Sequence, residues 1–148
     1  MKVVIGCDHA GFPMKQTVVD HLAGRGHQVI DVGTNTPDPV DFPDIAKALT
    51  GAVLDGRAER GIMVCGTGVG ASIAANKVPG IRAAVLHDVH CAHQAVEHDD
   101  VNVMCIGAKI VGSWLAVDLI DAYLAAEFST DPDFRRRVEK LAQMDARR

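Results

Sequence analysis

Short runs of apolar residues recur along the chain, each followed by a stretch with helical spacing. Val3-Val4-Ile5, Val29-Ile30, Ile62-Met63-Val64, Ala83-Ala84-Val85-Leu86 and Val103-Met104-Cys105-Ile106 are such runs. They predict strands at 2–7, 28–32, 61–65, 82–86 and 101–106, with helices at 12–25, 43–56, 69–77, 89–97 and 111–128. After Thr130-Asp131-Pro132, a charged stretch at 133–146 predicts one more helix, with a thin apolar stripe of Phe134, Val138 and Leu141. The strand runs do not alternate with polar residues, which is the pattern of strands buried on both faces and paired in parallel. Right-handed crossovers then give a three-layer α/β/α sandwich around a five-stranded parallel, Rossmann-like sheet, with an extra C-terminal helix. No repeat, low-complexity segment or linker breaks the pattern. Residues 1–148 therefore predict one domain, an α/β core at 1–128 and a C-terminal arm at 129–148.

Composition narrows the classes. A chain of 148 residues with 48% hydrophobic content can bury a real core. Net charge is −4, and Arg135-Arg136-Arg137 is the only basic cluster, so no nucleic-acid surface is predicted. The cysteines Cys7, Cys65, Cys91 and Cys105 show no pairing pattern. They read as reduced thiols of a cytoplasmic protein. No apolar run approaches a membrane span, and the first residues enter a strand at once, so neither a membrane partner nor a signal peptide is expected.

In open parallel sheets, ligands bind beyond the carboxyl ends of the strands. The residues leaving those ends are Cys7-Asp8-His9-Ala10-Gly11, Cys65-Gly66-Thr67-Gly68-Val69-Gly70, His87-Asp88 and Gly107-Ala108-Lys109. If the first and third strands are neighbours, Asp8, His9, Cys65 and Thr67 share one crevice. A thiol beside a glycine-rich turn puts a nucleophile or base next to backbone N–H groups. The turn lacks the lysine of a phosphate-binding Gly-Lys-Ser/Thr loop. Gly66-x-Gly68-x-x-Ala71 does fit a relaxed dinucleotide fingerprint, with Asp88 near the expected ribose distance. Against that reading, the chain leaves no room for a substrate domain. A small anion or an enediolate oxygen suits the turn better. His90, His93 and Glu97 share a helical face, but their spacing matches no common zinc pattern, so no metal is predicted. His98 ends its helix, on a connection near the crevice. The last helix carries Arg135, Arg136, Arg137, Lys140 and Arg147. It reads either as a solvated surface helix or as an arm that brings arginines to a second subunit's site.

Taken together, Gly6-Cys7-Asp8-His9-Ala10-Gly11, the Cys65–Gly70 turn, Ser72-Ile73-Ala74-Ala75-Asn76-Lys77, Pro79-Gly80-Ile81-Arg82-Ala83 and the His98/Asn102-Val103 segment resemble the signatures of one family. It is the group of ribose-5-phosphate isomerase B and galactose-6-phosphate isomerase, and the likeness spans nearly the whole chain. The resemblance implies aldose–ketose isomerisation of a sugar phosphate through a cis-enediolate, without metal or organic cofactor. It implies Cys65 as the base that moves the proton between C1 and C2, a role that suits a thiol. Gly66, Gly68, Val69 and Gly70 would hold the enediolate oxygen, and Thr67 would shuttle hydroxyl protons. His98 would open the sugar ring, while Asp8 and His9 would contact the sugar. It further implies a homodimer, or a dimer of dimers, with C-terminal arginines of one subunit reaching the phosphate in the other. Arg137 falls where the second such arginine is expected.

Some positions depart from the family pattern. Asp99 stands where an Asn usually follows the ring-opening His, and Lys109 where an Arg is usual. Asp133-Phe134 replaces an Arg-His pair that grips phosphate, and Phe42 replaces a Tyr. Members without the cysteine base carry a Glu at the position of Ala71. The substrate-binding set expected here is therefore Asp8, His9, Gly66, Gly68, Val69, Gly70, Asp99, Lys109, Arg136 and Arg137, with Arg135 or Arg136 standing in for the missing arginine. Ribose 5-phosphate is the expected substrate; a tetrulose phosphate or a hexose phosphate is the alternative.

Overall fold

The computed structural model describes residues 1–146, so Arg147 lies outside the described residues. Strands β1 (Lys2–Cys7), β2 (Gln28–Asp31), β3 (Arg60–Cys65), β4 (Ala83–Val85) and β5 (Val103–Gly107) alternate with helices α1 (Phe12–Gly24), α2 (Phe42–Leu54), α3 (Val69–Ala75), α4 (Val89–Asp99) and α5 (Ser113–Ala125). Helix α6 (Pro132–Asp145) closes the chain. The strands form one sheet in the order β2-β1-β3-β5-β4, and every pairing is parallel. β1 and β3 are neighbours, as the crevice required.

Successive strand residues point to opposite faces, and both faces are covered, which is why the runs read as continuously apolar. Val3, Ile5, Ile62, Val64, Met104 and Ile106 pack under α1, α4 and α5. Val4, Met63, Cys65, Val103 and Cys105 pack under α2 and α3. Register matters for function. Cys7 lies opposite Val64, and Cys65 opposite Gly107, so β1, β3 and β5 end level with one another. The residues that follow those ends are thereby brought together.

Several boundaries differ from the periodicity, each for a local reason. α5 stops at Ala125 because the Arg60 guanidinium takes the carbonyls of Tyr123 and, at 2.7 Å, Ala126. β5 starts at Val103 because the Asn102 side chain is engaged with Arg82 N–H and the Gly80 carbonyl. α4 runs a turn fraction further than predicted, through Asp99, and ends where Asp100 adopts φ +50°. His98 is therefore inside the helix rather than on the connection.

Candidate active site

Cys65 is buried at the end of β3, and the backbone after it turns sharply. Gly68 makes the turn possible at φ +82°, a conformation L side chains rarely adopt. Its N–H then points back at Cys65 Sγ, 2.9 Å away. A donor directed at the sulfur leaves Sγ an acceptor, the role a thiolate plays. Cys7 Sγ, by contrast, donates to the Thr34 carbonyl at 3.7 Å. Burial pushes the Cys7 thiol up to about 11 and raises Cys105 further. The same turn uses a second N–H internally: Val69 donates to Thr67 Oγ1 at 3.3 Å. Two of the predicted oxyanion donors thus already have partners within the turn.

Asp8 leaves β1 beside this turn. It is 6% exposed, and its Oδ1 accepts the Gly11 N–H at 2.9 Å. Gly11 must be glycine, because a Cβ there would lie 2.0 Å from the Val64 carbonyl oxygen. That close approach sets the Asp8 loop directly against the end of β3. His9 Nδ1 accepts the Val40 N–H at 3.1 Å. A neutral His9 therefore carries its proton on Nε2, the nitrogen left for a ligand. Lys109, leaving β5, donates its backbone N–H to the Gly66 carbonyl at 3.0 Å. Its side-chain stem passes Gly66, with Cδ 3.7 Å from where a Cβ would stand. Asp8, His9, Cys65, Gly66, Thr67, Gly68, Val69, Gly70 and Lys109 are the predicted residues that one end of the sheet brings together.

One residue of this region was not singled out from the sequence. Lys15 lies on the inward face of α1 and anchors the segment after β2 through Asp31, Thr34 and Asn35. That segment leads to Val40 and so to His9. A lysine spaced with Val18 and Leu22 on a buried face was the available signal. His87 accepts the Gly107 N–H on Nε2 at 2.9 Å, steadying the end of β5.

His98, Asp99, Arg136 and Arg137 lie elsewhere. α4 runs antiparallel to the strands, so about 14 Å of helix separates His98 from the carboxyl end where α4 begins. His98 stacks on Phe134 of α6, with ring centroids 3.9 Å apart and planes 15° apart. The three arginines after Phe134 have three different partners. Arg135 lies over the Phe128 ring at 4.8 Å, and Arg136 pairs with Asp133 at 2.5 Å. Arg137 lies 5.6 Å from the Phe134 ring and has no carboxylate partner among the described residues. The Arg136 hydrogen bond and charge hold the Asp133 carboxyl below its usual range. Within the chain, Arg135 and Arg136, the two expected stand-ins for the missing arginine, thus lie over Phe128 and beside Asp133.

The dinucleotide reading loses its acidic residue. Asp88 caps α4, its carboxylate accepting the Cys91 N–H at 2.7 Å, and hydrogen bonds from the Cys91 side chain and then its backbone lower its pKa. On the helix face once weighed for metal, His93 pairs with Glu97 at 3.1 Å.

A family model described as ribose/galactose isomerase matches residues 3–141. The chain is 42% identical to ribose-5-phosphate isomerase B of Escherichia coli over 147 residues, 99% of this chain and 98% of that protein. It is 41% identical to a D-erythrulose-4-phosphate isomerase of Pectobacterium atrosepticum over 129 residues, covering 86% and 85% of the two chains. The structure of ribose-5-phosphate isomerase B from Clostridium thermocellum superposes with a TM-score of 0.96 at 44% identity, covering 99% of both chains. With a buried thiol held in a glycine turn at the level ends of three parallel strands and a family match over nearly its full length, this chain belongs to the ribose/galactose isomerase family.

Proposed function

We propose that the chain interconverts ribose 5-phosphate and ribulose 5-phosphate as a cytoplasmic homodimer, using no metal or organic cofactor. The observation that carries this reading is Cys65 Sγ, held 2.9 Å from the Gly68 N–H beside Asp8, His9 and Lys109. As a thiolate, Sγ takes the proton from C2 of the open-chain aldose. The electrons left behind form the C1–C2 double bond of an enediolate, whose oxygen is met by N–H groups of the Gly66–Gly70 turn other than those of Gly68 and Val69. Thr67, exposed at the lip of the turn, moves the proton between the C1 and C2 oxygens. The Sγ proton is then returned to C1, giving the ketose. Asp8 and the Nε2–H of His9 hold the sugar hydroxyls.

A two-fold dimer supplies the remainder. The residues for ring opening and phosphate binding stand on α4 and α6, far along the sheet from their own Cys65. A self-complementary interface brings His98, Asp99 and Arg137 of one protomer to Cys65 of the other. Exposed apolar residues beside the turn support this arrangement: Val69 is 53% exposed and Ile73 58%. Phe42, lying against Gly70, extends the same patch. Such a patch around a polar crevice is the mark of an interface. α6 buries none of its residues within the chain and leaves Leu141 and Met144 exposed, as an arm awaiting a partner would.

One observation favours a second substrate. The 41% identity to a D-erythrulose-4-phosphate isomerase supports a four-carbon sugar phosphate such as erythrulose 4-phosphate. Turnover measured across four-, five- and six-carbon sugar phosphates decides between them. Cys65→Ala should lower kcat by about 10²–10⁴-fold for the accepted sugar while fold and dimer persist. An undiminished rate overturns the cysteine-base reading.

A further inference from the structure

We infer that Phe134 is a positioning residue for His98, so that α6 sets the geometry of the ring-opening step as well as the phosphate end. The inference rests on the isomerase reading above and adds a role for a residue that departs from the family pattern.

The stack is nearly parallel and close, 3.9 Å between centroids at 15°. Both side chains are only half-buried, so neither is locked by the core. What fixes Phe134 is the entry into α6. Ser129 N–H bonds the Glu97 carbonyl at 3.0 Å, tying this connection to the last turn of α4. Ser129 Oγ accepts the Asp131 N–H at 3.1 Å, and Asp131 Oδ1 caps the helix by accepting the Asp133 N–H at 2.8 Å. Phe134 follows directly and is set down on the imidazole next to Glu97.

The chemistry of the contact matters more than its strength. A hydrogen-bonding neighbour would orient the His98 ring by occupying one of its nitrogens. A phenyl face orients it through the π surface and leaves both nitrogens at the edge for proton transfer. Neither ring nitrogen has a hydrogen-bond partner among the described residues. Arg137 lies 5.6 Å from the same phenyl ring, a looser contact than the 3.9 Å stack on His98. Losing the stack releases an exposed imidazole to its other rotamers.

Two assays on the intact dimer separate this role from general support. Ribose 5-phosphate is mostly a closed furanose and must be opened. Ribulose 5-phosphate, with O5 esterified, is already open-chain, so solvent deuterium exchange at its C1 needs Cys65 but no ring opening. Phe134→Ala is expected to lower kcat from ribose 5-phosphate by about two- to tenfold, the range of an aromatic pair. Exchange into ribulose 5-phosphate should stay close to wild type. Phe134→Leu, which keeps apolar bulk without a flat face, should show the same split, and Phe134→Tyr should restore the rate. In a His98→Gln background, Phe134→Ala should add no further loss. Equal losses in both assays, no loss from ribose 5-phosphate, or losses that add to those of His98→Gln overturn the inference. If the wild-type protein catalyses neither reaction, the isomerase reading falls and takes this inference with it; an active wild type with any of those failures removes this inference alone.

Discussion

Replacing Lys15 by methionine tests how the fold holds the crevice together. Lys15 is 8% exposed. Its ammonium meets Asp31 Oδ2 at 2.6 Å, and the Thr34 carbonyl and Asn35 Oδ1 at 2.8 Å each. Three donors thus meet three acceptors. Methionine keeps the length of the stem and removes all three bonds. Taking one partner from a buried ion pair costs about 3–5 kcal/mol, because the other charge is left uncompensated. The Asp31 side chain is 34% exposed, so water reaches it. The net cost is then roughly 2–3 kcal/mol. For a chain of this size that is a fall in Tm of about 4–12 °C. The urea midpoint should fall with the m-value unchanged, measured at fixed protein concentration because the stability of any oligomer depends on it. Removing the stranded charge as well, in Lys15→Met with Asp31→Asn, should recover part of the loss. An unchanged midpoint in the single variant, or a double variant that is worse by the full sum, refutes the reasoning.

Two further outcomes follow from other groups. Burial raises the folded-state Cys7 thiol from 9.0 to about 11. The folded protein therefore holds this proton more tightly than the unfolded chain, and the stabilisation is complete below pH 9 and lost as pH rises from 9 to 11. Roughly 2–3 kcal/mol should disappear over that window, and urea titrations of Cys7→Ala should show a loss smaller by that amount; parallel curves for the two proteins contradict it. Asp88→Ala removes the cap of α4 and should lower stability, with raised amide exchange in Val89 to Ala92. Unchanged exchange there would show that the cap contributes little.

The order of elements was legible because both faces of the sheet are covered, which turns each strand into an unbroken apolar run. Asp8 and Cys65 could be placed in one crevice from strand ends alone, given adjacent first and third strands. His98 could not. Its position depends on the length and direction of α4, which carry it away from the end where Cys65 stands. The pairing of Arg136 with Asp133 was within reach, since the two are three apart on a helix. The stack of Phe134 on His98 was not, because it joins residues 36 positions apart through the turn at Ser129 and Asp131. The early end of α5 was equally hidden. It is set by Arg60, a strand residue whose guanidinium reaches carbonyls more than sixty positions away.

The central claim is one site assembled from two chains, with Cys65 from one and His98 from the other. Subunit complementation tests it most directly. Cys65→Ala and His98→Gln chains, carrying different tags, are co-expressed and the mixed dimer is isolated. If the site crosses the interface, one of its two sites holds both an intact Cys65 and an intact His98. About half the wild-type rate from ribose 5-phosphate should return, although each variant alone is impaired. A mixed dimer no faster than the average of its parents would place Cys65 and His98 in the same chain's site and contradict the account.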